Sequence, residues 1–351
     1  MSKLLDIKQY GQQIWIDNLS RELIHSGTIQ KLIDNDGIAG ITSNPTIFHK
    51  AISNDKLYHD DLIKVRQSNL TPEERYEALV IPDIIAACDI MLPVYEQSNH
   101  NDGYVSFEVS PYLANDAIGT IHNAKRLWKQ INRPNLMIKV PATKAGTIAF
   151  EELIAEGINV NITLLFSLKQ VLHIWQAYIN GLQKRQNQGL AINNIKSVAS
   201  FFLSRIDSAI DGTLPRELQG KAAINLAKVA YLAYNEIFDS IIFAPLKSAG
   251  AKGQSLLWAS TGTKNPDYSD VLYVEALIGD DTINTIPDAT LDAFRDHGVA
   301  SSSLYNDIKD SPQVIEKIKL LADLEALGET LQSDGLKLFT ASFDSLLELV
   351  K

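Results

Sequence analysis

The sequence predicts an α/β protein, a (β/α)8 TIM barrel with additional N-terminal, inserted and C-terminal helices. Two observations predict this fold: short apolar runs recur along the chain, and segments with helical spacing separate them. An alternation of strands and helices is typical of parallel β-sheet, and eight strands make a closed parallel barrel. The eight predicted strands are 14–17, 40–44, 105–108, 136–139, 160–163, 198–200, 256–260 and 283–286.

The segments between these runs carry apolar residues three or four positions apart, the spacing of a helix that buries one face. One such stripe runs from Ile118 to Ile131. Gly37 and Gly157 follow helical segments and suit the left-handed position at which many helices end. Extra helices are expected at about residues 1–13, 53–80 and 312–351.

The chain of 351 residues fits either two domains of about 150 residues or one barrel with insertions. No repeat, low-complexity tract or Pro/Ser-rich linker divides it, so we expect residues 1–351 to form a single barrel domain. An open doubly wound sheet is the alternative fold. It would usually place a Gly-rich phosphate turn after the first strand, and residues 17–21 contain no glycine.

Composition excludes several classes of protein. Hydrophobic residues make up 45% of the chain, enough for a large core, and the net charge of −10 is opposite to that of a nucleic-acid-binding surface. The single cysteine, Cys88, cannot form an internal disulfide. Asp6 and Lys8 interrupt the N-terminus before any signal-like apolar stretch, and no later run approaches 18 apolar residues. We therefore expect a cytoplasmic protein without nucleic-acid or membrane partners.

Polar residues that end apolar strands are the first candidates for chemistry, because the active site of a parallel barrel forms at the carboxyl ends of its strands. Lys139 is the most unusual of them, since its strand neighbours are apolar and Pro141 follows closely. Burial there favours the neutral amine, the nucleophilic form of lysine. Lys139 is thus a candidate for Schiff-base formation, with a structural, carboxylate-paired lysine as the alternative.

Two carboxylates strengthen the chemical interpretation of Lys139. Asp17 and Glu108 end two other predicted strands, and a Schiff-base enzyme needs a carboxylate, or water held by one, to move protons. Either carboxylate alone could instead cap a helix or form an ion pair. Lys144 is the rival nucleophile, but we place it in a hydrated loop before a glycine and reject it.

The chain resembles the transaldolase family, most closely its longer bacterial members. The resemblance rests on GITSNPTI at 40–47, on LMIKVPAT at 136–143 followed by Gly146, and on GINVNITLLF at 157–166. It extends from about residue 15 to about residue 287, roughly three quarters of the chain. These motifs occur in the family's order.

The resemblance implies a class I aldolase-type barrel in which Lys139 forms a Schiff base with a ketose phosphate. Asp17 and Glu108 would transfer protons, Glu108 through a water that Thr163 also binds. The dihydroxyacetone part of the substrate would contact Thr42, Asn44, Asn161 and Ser200. The implied reaction moves a dihydroxyacetone unit from sedoheptulose 7-phosphate or fructose 6-phosphate to glyceraldehyde 3-phosphate or erythrose 4-phosphate, in the pentose phosphate pathway.

The resemblance also implies a cationic site for the substrate phosphate, because local geometry rather than net charge decides anion binding. Arg205 is the main candidate, and Ser260 and Lys264 would add a hydroxyl and a second cation. Shorter transaldolases usually carry arginine near the position of Lys264, so the chain departs from them there. The longer subclass has the Ser-Thr-Gly-x-Lys form found here.

Two alternatives to this function stay open. A fructose-6-phosphate aldolase is similar in fold and lysine but usually has Gln and Tyr where this chain has Glu108 and Phe202. A barrel without chemistry, serving as a binding or structural protein, would be expected to have lost Lys139 or its carboxylates. A zinc-dependent aldolase finds no support, because the seven histidines include no i,i+4 pair. We expect phosphorylated sugars as the partners and no cofactor or metal; monomer and homodimer remain alternatives.

Overall fold

The computed structural model describes residues 2–351, and Met1 lies outside the described residues. Within them, eight parallel strands close into a barrel in sequence order. The strands are β1 (Gln13–Ile16), β2 (Gly40–Ile41), β3 (Tyr104–Glu108), β4 (Leu136–Pro141), β5 (Val160–Leu165), β6 (Ser197–Phe202), β7 (Ser255–Ala259) and β8 (Thr282–Ile286). Each predicted run overlaps one of them, and β8 pairs with β1 to close the sheet. The predicted (β/α)8 barrel is confirmed.

Helices surround this barrel and connect its strands, and their buried apolar side chains join those of the strands in one core cluster. The helices are α1 (Lys3–Lys8), α2 (Arg21–His25), α3 (Thr28–Asp36), α4 (Pro45–Asn54), α5 (His59–Arg66), α6 (Pro72–Gln97), α7 (Ala117–Ile131), α8 (Lys144–Glu156), α9 (Leu168–Asn187), α10 (Ser204–Ile210), α11 (Ala222–Phe238), α12 (Ala244–Ser248), α13 (Leu272–Glu275), α14 (Asp288–His297), α15 (Ser311–Lys319) and α16 (Leu324–Val350).

The helix ends agree with the glycine signals in the sequence. Gly37 follows α3 at φ 70°, and Gly157 follows α8 at φ 88°. A side chain at either position would have to adopt a left-handed conformation, which glycine adopts without strain. These two glycines therefore end their helices as the sequence predicts.

The additional helices differ from their predicted bounds. Among the described residues 2–12, only α1 is an α-helix, and Gly11 turns the chain at φ 77° against Asp280 before β1 begins at Gln13. Residues 53–80 contain α5 and the start of α6, which then continues to Gln97. Prolines usually end a helix, yet α6 contains two of them. Residues 312–351 contain the expected pair of closing helices, α15 and α16.

Helix α6 corrects the expectation that no segment of the chain approaches the length and apolar composition of a membrane-spanning helix. It is long and apolar enough, by length and composition, to cross a membrane, with a mean hydropathy of 1.8 over its most apolar window. In the structure, half of that window is buried within the protein, and α6 packs against β3. A core helix of a barrel meets the same length and composition criteria.

Two irregularities shape the carboxyl-end face of the barrel. Strand β2 has only two residues, because Asn44 already caps α4 and Pro45 occupies its first turn. In β5 the pairing register with β6 shifts between Ile162 and Leu165, and Leu164 adopts φ 65°. Such a bulge re-aims neighbouring side chains and leaves backbone groups for other elements to bind.

Candidate active site

A cavity of about 360 Å³ opens at the carboxyl ends of the strands. Ten of the twelve predicted site residues line it, together with Phe339 of the closing helix α16. The ten are Asp17, Thr42, Asn44, Lys139, Thr163, Ser200, Phe202, Arg205, Ser260 and Lys264. A larger groove of about 480 Å³ at residues 319–325 contains none of the twelve. We therefore identify the candidate site by the side chains that line the cavity and not by its volume.

Lys139 projects from the middle of β4 into this cavity and is 5% exposed. Its Nζ donates a hydrogen bond to the backbone oxygen of Ser43 at 3.1 Å and lies 3.7 Å from Glu108 Oε2. The strand register places Glu108 on one side of Lys139 and Asn161 on the other. The amine is therefore buried, oriented and next to a carboxylate.

Glu108 lies behind the cavity surface, with its side chain 7% exposed. Burial raises the pKa of Glu108 to about 7, although the neighbouring Lys139 opposes this shift. Its Oε2 atom has no hydrogen-bond partner among residues 2–351. A carboxyl group that titrates near neutral pH can both accept and release a proton at working pH, as a general acid or base must.

Asp17 follows β1 and belongs to a row of hydroxyl groups. Thr42 Oγ1 donates to Asp17 Oδ1 at 2.7 Å and lies 2.6 Å from Thr285 Oγ1. If Thr42 donates to the carboxylate, Thr285 must donate to Thr42, so the two threonines orient Asp17 together. Burial raises the pKa of Asp17, against the opposing effects of Lys139 and Thr42.

Asn161 does not line the cavity but lies beneath it, fully buried on β5. Its Nδ2 donates to Ser106 Oγ at 3.1 Å, and its Oδ1 accepts from Ser200 Oγ at 2.7 Å. Ser200 is thereby oriented at the cavity wall. The nearby Thr163 has a buried Oγ1 without a hydrogen-bond partner in the described chain, so its hydroxyl remains available to a ligand or water.

Asn44 caps helix α4 and also lines the cavity. Its Oδ1 accepts from the backbone N–H of Ile47 at 3.0 Å and so caps α4. This bond fixes the side-chain amide in one orientation. The Nδ2 group is the remaining donor that Asn44 can offer to a bound molecule.

The other end of the cavity carries the predicted phosphate-binding residues. The Arg205 guanidinium lies 5.3 Å from the ring centre of Phe202, and no carboxylate in residues 2–351 pairs with it within 4 Å. Ser260 adopts φ 55° and shares a 2.9 Å hydrogen bond with Ser204. Lys264 is exposed at the rim. An unpaired, partly buried guanidinium beside a hydroxyl is suited to bind an anion.

Lys144 requires a correction. It does not lie in a loop but begins α8, because the Thr143 side chain caps that helix by accepting from Gly146 N at 2.8 Å. Lys144 is exposed and does not line the cavity, so its separation from the site is as expected even though its predicted local structure was wrong.

Seven residues that line the cavity were not predicted from the sequence, and two of them place side chains beside the predicted catalytic groups. Thr285 lies within the eighth predicted strand, and the alternation of strand side chains could have revealed it. Phe339 comes from α16, and its ring centre lies 5.5 Å from Lys139 Nζ. No local pattern could have connected a residue of the closing helix with a lysine so distant along the chain.

A parallel eight-stranded barrel with a buried lysine and two carboxylates at its carboxyl end is the architecture of class I aldolase-type enzymes. A sequence model of the family described as Transaldolase/Fructose-6-phosphate aldolase matches residues 14–350. The chain therefore belongs to the transaldolase/fructose-6-phosphate aldolase family. The match extends beyond residue 287, where the sequence motifs ended, and includes α15 and α16.

Curated relatives cover nearly the whole chain. It is 50% identical over 350 residues to the transaldolase of Thiobacillus denitrificans, with 97% of this chain and 98% of the relative covered. It is 49% identical over 348 residues to the transaldolase of Neisseria gonorrhoeae, with 99% of each covered. It is 47% identical over 366 residues to transaldolase 2 of Nostoc sp., with 99% and 96% covered.

Proposed function

We propose that this protein is a transaldolase that carries a dihydroxyacetone unit on Lys139. The donor would be sedoheptulose 7-phosphate or fructose 6-phosphate, and the acceptor glyceraldehyde 3-phosphate or erythrose 4-phosphate. The observation that carries this proposal is the buried Lys139 amine 3.7 Å from Glu108, at the base of a cavity whose other end holds an unpaired Arg205. One end suits a carbonyl group and the other a phosphate.

In the first half of the reaction, the neutral Lys139 amine adds to the ketose carbonyl carbon. The carbinolamine then loses water to form the Schiff base. We assign both proton transfers to Glu108, because its carboxyl group is the nearest to Nζ: the carboxylate accepts the proton that the lysine nitrogen releases and returns it to the departing hydroxyl as water forms. The unpartnered oxygen atoms of Glu108 and Thr163 suit a shared water that relays the proton.

Cleavage of the sugar needs a base for the hydroxyl beside the breaking carbon–carbon bond. We assign this role to Asp17, which lines the cavity and is oriented by Thr42. The aldose phosphate leaves, and the electron pair of the broken bond remains on the donor as an enamine. Addition of this enamine to a second aldose phosphate, followed by hydrolysis of the Schiff base, completes the transfer and predicts ping-pong kinetics.

The remaining predicted residues would bind the substrate. The amide of Asn44 and the hydroxyl of Ser200 are placed to contact the donor's hydroxyl groups. Asn161 would act mainly through Ser200, since its amide is occupied beneath the cavity. Ser260 and Lys264 would support Arg205 at the phosphate.

The proposal extends to the protein as a whole. We infer that residues 1–351 form a single class I aldolase-type barrel domain, that the protein works in the cytoplasm, and that it needs neither nucleic acid nor a membrane.

An Arg205→Ala variant is expected to bind every phosphorylated substrate more weakly. Loss of one charge-assisted contact costs roughly 1.5–3 kcal/mol, or on the order of ten- to a hundredfold in kcat/KM. Dihydroxyacetone without phosphate should be almost unaffected as a donor. Steady-state kinetics with both substrate types measure the difference, and the exposed Arg216→Ala is the matched control. Equal losses for both types would argue against a phosphate-binding role.

A Phe202→Tyr variant tests the alternative aldolase function. Phe202 lines the cavity and offers only an apolar ring, whereas a phenol there could protonate the bound enamine. We expect the variant to release free dihydroxyacetone from fructose 6-phosphate while losing transfer to erythrose 4-phosphate. The assay compares dihydroxyacetone release with sedoheptulose 7-phosphate formation. An unchanged ratio would mean that this ring does not face the Schiff base.

The direct test of the proposed function is transfer itself. Purified protein with fructose 6-phosphate and erythrose 4-phosphate should form sedoheptulose 7-phosphate and glyceraldehyde 3-phosphate in equal amounts. Release of dihydroxyacetone at the rate of fructose 6-phosphate consumption would instead identify an aldolase. No consumption of either sugar would favour a barrel without chemistry.

A further inference from the structure

The closing helix α16 lies across the carboxyl-end face of the barrel. Gln332 on this helix donates through Nε2 to the backbone oxygens of Ala142, at 2.9 Å, and Leu164, at 3.0 Å. It thereby satisfies the carbonyl group exposed by the bulge of β5. Farther along, Thr46 Oγ1 donates to Ser342 Oγ at 2.8 Å. Helix α16 is thus attached to both sides of the cavity.

The spacing of small and large residues on α16 is matched to the site below it. Gly335 faces Leu164 and Arg205, and a Cβ atom there would lie 2.9 Å from Leu164 Cδ2 and 3.4 Å from Arg205 Nη1. The helix can therefore approach the barrel closely at this point. One turn later, Phe339 fills the space over Lys139. Phe339 is 7% exposed, and the centre of its ring lies 5.5 Å from Lys139 Nζ.

The Phe339 ring can affect which of two reactions the enamine intermediate undergoes. After the first aldose phosphate leaves, the enamine on Lys139 has two fates. It can add to an aldose carbonyl, or it can take a proton at its nucleophilic carbon and then be hydrolysed by water, which releases dihydroxyacetone and the free amine. A transferase must suppress the second fate, and keeping additional water and proton donors away from the enamine carbon does so. The Phe339 ring occupies space beside Nζ and carries no proton to donate, whereas the single water assigned to Glu108 and Thr163 serves Schiff-base formation and the final hydrolysis.

We propose that Phe339 is a specificity-determining residue that retains the donor on Lys139 until an aldose phosphate arrives. This inference rests on the proposed function. Helix α16 contributes to specificity by placing an aromatic ring over the Schiff base, and the barrel strands supply the reacting groups. Removing the ring opens space for water beside Nζ, whereas the proton-transfer groups at the strand ends remain in place.

The test compares Phe339→Ala and Phe339→Leu with Leu338→Ala, whose side chain is 56% exposed on the same helix. Free dihydroxyacetone release from fructose 6-phosphate is measured without acceptor, and sedoheptulose 7-phosphate formation is measured with erythrose 4-phosphate. We expect Phe339→Ala to raise the ratio of release to transfer on the order of tenfold, Phe339→Leu to raise it less, and Leu338→Ala to leave it unchanged.

Borohydride trapping with fructose 6-phosphate separates this inference from the proposed function. If the wild-type protein is not trapped at Lys139, the proposed function fails first. If all variants are trapped but neither Phe339 variant changes the ratio, the role of Phe339 is overturned. An equal change in Leu338→Ala also overturns it, because the effect would then belong to the seating of α16. Phe339→Leu keeps the test decisive if Phe339→Ala does not fold.

Discussion

A Lys139→Met variant should lose transfer completely, together with all trapping by borohydride. Methionine has no nucleophilic nitrogen, so no Schiff base can form and the covalent route is closed. Transfer is measured with fructose 6-phosphate and erythrose 4-phosphate, and trapping by mass spectrometry of the reduced protein. The matched control is Lys144→Met, five residues along the chain, which is exposed and should behave as wild type.

The fold of this variant should remain intact. Methionine is unbranched and flexible and fills an apolar site without needing a charged partner. The Lys139 charge lowers the pKa of Glu108, so its removal shifts the Glu108 carboxyl further towards the neutral form, which tolerates burial. Circular dichroism and thermal unfolding check this. A variant that folds and is still trapped would move the nucleophile elsewhere, with Lys144 the first residue to examine.

A Glu108→Gln variant should turn over roughly 10²–10⁴-fold more slowly than wild type. Glutamine keeps the shape of the side chain but cannot accept the proton. Trapping with borohydride should be slower as well, because carbinolamine dehydration uses the same carboxylate. Glu73→Gln is the matched control, because burial also raises the pKa of Glu73 although that residue lies outside the cavity.

The pH profile provides the sharper measurement for Glu108. Its pKa of about 7 means that the carboxylate, the form that accepts a proton, predominates above neutral pH. In the wild-type protein, kcat/KM should therefore rise with pH through about 7. This rising limb of the pH profile should be absent from Glu108→Gln and present in Glu73→Gln. An unchanged limb in Glu108→Gln would assign the titration to another group, with Asp17 the next candidate.

Much of the barrel is readable from the sequence because a strand buried on both faces is a short, nearly continuous apolar run. The polar residues that end such runs meet at one face, which explains how ten predicted residues share one cavity. Which face of a helix is buried is harder to predict. Ile118 belongs to the predicted apolar stripe of α7 but is 68% exposed, because repeated steps of three residues drift around a helix of about 3.6 residues per turn; the buried face consists of Thr120, Ala124, Leu127 and Ile131.

Contacts between distant segments explain what the sequence alone could not predict. Thr42 is recognisable at a strand end, but its partner Thr285 depends on the closure of the barrel between β8 and β1. Asn161 could be predicted as a polar residue of β5, but its position beneath Ser200 depends on how neighbouring strands stack their side chains. Phe339 reaches the cavity only because α16 crosses the barrel face.

The most direct test of Schiff-base chemistry at Lys139 is to reduce the wild-type protein with borohydride in the presence of fructose 6-phosphate and to map the adduct by peptide mass spectrometry. The expected result is one adduct per chain, a reduced dihydroxyacetone unit on the peptide that contains Lys139, and none when the sugar is omitted. No adduct, or one on a peptide in which Lys144 rather than Lys139 carries the added mass, would contradict it.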